Sequence, residues 1–122
     1  MGAIKCFPLV EELFSLDMLV EKDGLLQIYL RRDDGKLTIS FDSYLSYRKG
    51  DEGDLLKVIE EVDASSRLGC TLYEVTSSNY MDWFVDQCYG IRSITKIKEY
   101  MILTENDVIE VIGIDGPVIV RS

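Results

Sequence analysis

Two Asp-Gly pairs, Asp23-Gly24 and Asp34-Gly35, each sit between short apolar runs, and no other feature of the chain constrains the fold as much. Glycine takes a positive φ without steric penalty and Asp tolerates one, so the dipeptide closes tight hairpins whose twist matches the flanking strands. Around these pairs Leu26, Ile28 and Leu30 alternate with Gln27, Tyr29 and Arg31. Leu37, Ile39 and Phe41 then alternate with Lys36, Thr38 and Ser40. A period of two predicts an antiparallel meander with one buried face and one wet face.

Around the meander the pattern changes. Leu9, Val10, Leu13 and Phe14 after Pro8 read as a short helix, and Leu16 to Val20 as its continuation or a strand; the favoured reading is a helix to about Leu13 and a strand from about Leu16. Asp51 and Asp54 are placed to cap or charge the start of a helix through Leu55, Leu56, Val58, Ile59 and Val62. Cys70 to Val75 is strand-like. Ser77 or Ser78 then caps a second helix, ended by Gly90, which carries Tyr80, Trp83, Phe84 and Cys88 along one side and Asp82 and Asp86 along another. Ile94 to Thr104 and Val108 to Ile114 read as strands joined near Glu105-Asn106-Asp107. A last strand, Val118 to Val120, follows the Asp115-Gly116-Pro117 turn. Strands outnumber helices, so the expected class is α+β: one domain over residues 1–122, a mainly antiparallel sheet of about five to seven strands packed against two or three helices.

Composition decides which functions are open. With 47% hydrophobic and 29% charged residues the chain has enough apolar surface to offset its conformational entropy, unlike a disordered acidic tail. It has no histidine, which removes the commonest proton shuttle near neutral pH and every His-based metal site. Cys6, Cys70 and Cys88 are odd in number and widely spaced, which suits reduced thiols and no C-x-x-C metal site. The acids form no alternating calcium loop. Gly50, Gly53, Gly113 and Gly116 match neither a P-loop nor a dinucleotide fingerprint, and no serine stands in a G-x-S-x-G elbow. No catalytic residue, cofactor or metal is therefore expected. No apolar run approaches the roughly 18 residues of a membrane span, and the first residues carry no export pattern, so the expectation is a cytoplasmic protein without membrane contact.

The net charge of -9 shifts attention to partners. Phosphate binding relies on clusters of Lys and Arg, whereas Arg31-Arg32 and Lys96 with Lys98 are small groups in an acidic chain, so nucleic acid is disfavoured. A basic protein is favoured. Asp51, Glu52 and Asp54 form the densest acidic group, read either as a recognition patch or as helix capping with solvated neighbours. Tyr44, Tyr47, Tyr80 and Trp83 are candidate aromatic anchors, although Trp83 and Phe84 on a helix equally suit a core. The partner-binding set is Tyr44, Tyr47, Asp51, Glu52, Asp54, Asp82 and Asp86. The oligomeric state is left open.

Three stretches also carry a resemblance. Tyr47-Arg48-Lys49-Gly50-Asp51-Glu52-Gly53-Asp54-Leu55-Leu56, then Ser78 with Trp83-Phe84 and Gly90-Ile91, then the run from Tyr100 to Val111 together resemble bacterial immunity proteins of polymorphic toxin and contact-dependent growth inhibition systems. The resemblance implies a small cytoplasmic protein that binds the toxin domain of its own system and blocks its active site or a neighbouring surface. It transfers no individual contact residue, because such families differ in fold and in contacts. Two other classes remain beside it: a carboxylate-based enzyme, marked by a pocket holding an acid of raised pKa, and a non-catalytic subunit or ligand-binding domain of a larger assembly, marked by a large exposed apolar patch.

Overall fold

The computed structural model describes residues 4–6, 14–51, 71–76, 78–88 and 96–122. One sheet is built from β2 (Ser15–Lys22), β3 (Leu25–Arg32), β4 (Gly35–Phe41) and β9 (Val118–Arg121), in that spatial order and antiparallel throughout. The other is built from β1 (Ile4–Cys6), β5 (Tyr44–Asp51), β6 (Leu72–Val75), β7 (Lys98–Leu103) and β8 (Asp107–Gly113), in the antiparallel order β1-β6-β7-β8-β5. The described residues hold one helix, α1 (Asn79–Gln87), and none long and apolar enough to cross a membrane.

The β2–β3 hairpin closes at Asp23-Gly24 with φ of 54° and 82°, both positive as a type I′ turn requires. The second turn lies one residue earlier than the Asp34-Gly35 pair suggests. Arg32 pairs with Gly35, leaving Asp33-Asp34 as the loop, and neither has a positive φ. Gly35 answers to space instead, since a Cβ there would lie 3.3 Å from the Ser122 carbonyl oxygen.

The expected α+β arrangement, a sheet backed by two or three helices, is overturned. The two sheets pack on each other. Leu26, Ile28, Leu30, Leu37, Ile39 and Phe41 of the first share one core with Leu72, Tyr100, Ile102, Ile109 and Val111 of the second. Alternating strands present one apolar face each, and a second sheet covers such a face as well as helices do. In the second sheet β7 and β8 are buried on both sides, which is why Tyr100–Leu103 reads as a continuous apolar run and Val108–Ile112 as one broken only by Glu110. Their far side is covered by α1, through Tyr80 and Met81 packed against Ile97 and Ile112.

The expected helix ending at Leu13 and the one through Leu55 to Val62 lie outside the described residues. Asp51 itself ends a strand, paired with Asp107, and does not begin a helix. The helix expected after Ser78 is α1. Cys88 caps its C-terminus as a free thiol, and Gly90 lies outside the described residues.

Candidate functional site

α1 starts where it does because Ser78, in extended conformation (φ -158°, ψ 167°), accepts the Met81 N–H at 3.0 Å and satisfies one of the helix's orphan donors. From that origin the helix turns Tyr80 and Met81 inward. Trp83 and Phe84, which the sequence treats as a pair, separate: Phe84 packs against the core cluster while Trp83 is 52% exposed.

β5 supplies the opposite wall. Strand alternation sends Tyr44 into the inter-sheet core and Leu45 toward α1, and the bulge between Tyr44 and Ser46 turns Ser46 to the α1 side as well. Ser46 Oγ and Tyr80 Oη lie 2.6 Å apart. Two residues on, Arg48 lays its guanidinium 4.2 Å from the centre of the Tyr80 ring and donates from Nε to Glu110 Oε1 at 2.7 Å. Trp83 stacks on Tyr80 with centroids 5.9 Å apart and planes at 14°. The result is a shallow cleft of about 260 Å³ lined by Ser46, Tyr47, Arg48, Tyr80 and Trp83. Aromatic rings and arginine are the side chains that most often dominate protein interfaces.

Beneath the cleft lie two buried carboxyls. Glu99 of β7 and Glu110 of β8 are 0% and 1% exposed on the α1 side of the second sheet. Glu99 Oε1 accepts from the Ser78 hydroxyl, and its Oε2 has no hydrogen-bond partner. Burial pushes the Glu99 carboxyl up to about 7; the Ser78 hydroxyl opposes this, the nearby Glu110 charge adds to it, and Arg48 opposes it. One guanidinium thus serves two carboxyls. Burial also raises the Tyr80 phenol, against the Ser46 hydrogen bond and Arg48.

A larger depression of about 400 Å³, beside Arg31, Arg32, Asp34 and Glu105, is a weaker candidate. Its two arginines are taken up in ion pairs at the surface, Arg31 with Asp17 at 3.4 Å and Arg32 with Asp34 at 3.2 Å. Among the described residues no three potential ligands converge as a metal site.

The structure brings part of the sequence-derived set together. The Tyr44 and Tyr47 rings meet edge to face at 5.6 Å, and the Glu21 carboxylate beside Tyr44 raises its phenol pKa. Asp82 and Asp86 are exposed, one turn apart on α1 and next to Trp83. Asp51 lies at the far end of β5, and Glu52 and Asp54 fall outside the described residues.

Arg48, Glu99 and Glu110 were missed as site residues. The signal for Glu110 was present: one acid inside Val108-Ile109-Glu110-Val111-Ile112 is a charge at an interior position. No family model, curated protein or solved structure matches this chain.

Proposed function

We propose that this protein is an immunity-type inhibitor that binds a toxin domain one to one and neutralises it by occlusion. The observation that carries the reading is Trp83. A tryptophan left half exposed, stacked on Tyr80 and next to Arg48, has the character of an interface anchor. Exposed Asp82 and Asp86 beside it, within a chain of net charge -9, suit a basic partner and would speed encounter by electrostatic steering. The partner-binding face is therefore assigned to Tyr47, Trp83, Asp82 and Asp86, without Tyr44, which packs into the inter-sheet core on the other side of the sheet.

The test is calorimetry at low and moderate salt against the carboxy-terminal domain of whatever large secreted protein is encoded immediately upstream. Tight one-to-one binding that weakens with salt supports the reading, and no binding removes it. Charge reversal at Asp82 and Asp86 should mainly slow association, by an amount that shrinks in high salt. The same reversal at Asp51, Glu52 and Asp54 tests whether that group belongs to the face; unchanged affinity at low salt excludes it.

A further inference from the structure

We propose that the cleft beside Trp83 receives an acidic side chain of the protein partner, held by the two terminal nitrogens of Arg48, with an adjoining apolar group of the partner lying on the Trp83 ring. The inference rests on the partner-binding reading above and names the chemistry of its central contact.

Arg48 is the reason. Its Nε is committed to Glu110, and its Nη1 and Nη2 make no hydrogen bond or ion pair among the described residues, although the side chain is 49% exposed. In a chain with 22 acidic and 13 basic residues, a guanidinium edge left open to solvent is a feature to account for. Tyr80 beneath the plane and Glu110 at Nε fix its orientation, so little side-chain entropy is lost when a ligand arrives. Two parallel N–H donors in a fixed plane match the two oxygens of a carboxylate. Next to them the exposed Trp83 ring offers apolar area that a bare anion would leave uncovered.

Charge decides which anion. Asp82 and Asp86 next to Trp83 and Glu110 behind Arg48 set a negative local field, which opposes a doubly charged phosphate more than a singly charged carboxylate. A partner segment with one acid at its centre and basic residues around it would satisfy Arg48 and the flanking aspartates together.

Trp83 is the only tryptophan, so its indole N–H resonance reports on the cleft in the unmodified protein. The probes are phenylpropionate, phenylpropionamide and phenylethyl phosphate, titrated at millimolar concentrations. Phenylpropionate should move the Trp83 resonance saturably and bind about tenfold more tightly than its uncharged amide. Arg48→Lys, which keeps a cation for Glu110 but loses the fork, should erase most of that preference. The inference is overturned if acid and amide bind equally, if the phosphate binds more tightly than the acid, or if the Trp83 resonance does not move. Any of these results leaves the partner-binding reading to its own calorimetric test, because the probes involve no toxin domain.

Discussion

Arg48 reaches across the β5–β8 ladder to Glu110, Nε to Oε1 at 2.7 Å, so an arginine at the surface neutralises a carboxylate whose side chain is only 2% exposed. The pair joins the cleft to the buried network below it. Its two members are therefore unequal in what their loss should do.

Arg48→Ala strands a buried carboxylate beside a second one and should cost about 2 kcal/mol, less than a fully buried pair because Arg48 is half exposed. Glu110→Gln removes the stranded charge instead and should cost less. Urea denaturation of both variants and of Arg48→Ala/Glu110→Gln checks this: the double variant should be more stable than Arg48→Ala alone. Simple additivity of the two losses would mean that the residues are not coupled.

Glu99 gives the fold a pH dependence of definite sign. Its folded pKa of about 7 exceeds the ordinary 4.5, so the folded state keeps a proton that the unfolded chain releases. The stabilisation is full below pH 4.5, falls as pH rises toward 7 and is gone above it, a loss on the order of 3 kcal/mol. Glu99→Gln should flatten this slope and be the more stable protein at about pH 8. Denaturation curves for both proteins across this range settle it, and parallel slopes would contradict the assignment.

Ser78 caps α1 and also donates to Glu99, and two substitutions separate these roles. Aspartate caps helices as well as serine does, whereas alanine does not. Ser78→Ala should cost about 1 kcal/mol for the cap, with more for Glu99 left unpaired. Ser78→Asp keeps the cap but sets a carboxylate against Glu99, and should destabilise more at alkaline than at acidic pH. Thermal melts at both extremes read the difference; equal losses would show that Glu99 does not sense this position.

The meander was legible because it is local. Asp23-Gly24 and the alternation from Leu26 to Phe41 depend on neighbours in the chain, and each was found where the pattern placed it, the second turn shifted by one residue. The Ser78 cap was legible for the same reason. What covers each sheet face was not, because an apolar face carries no mark of whether a sheet or a helix will meet it. The cleft was only half legible. Tyr47, Asp82 and Asp86 were chosen for aromatic character and charge, as was Tyr44, which packs into the inter-sheet core instead, but Arg48, Glu99 and Glu110 become neighbours only when β5, β7 and β8 pair, with Arg48 and Glu110 62 positions apart in the chain.

The most direct measurement is titration calorimetry of the toxin domain into the wild-type protein, Trp83→Ala and Val120→Ala. Val120 is 55% exposed on β9, in the other sheet, and serves as an equally exposed apolar control. Trp83→Ala should weaken binding by about 2 kcal/mol, roughly thirtyfold, with Val120→Ala indistinguishable from wild type. Full affinity in Trp83→Ala, or a comparable loss in Val120→Ala, would contradict the placement of the partner at the Trp83 cleft.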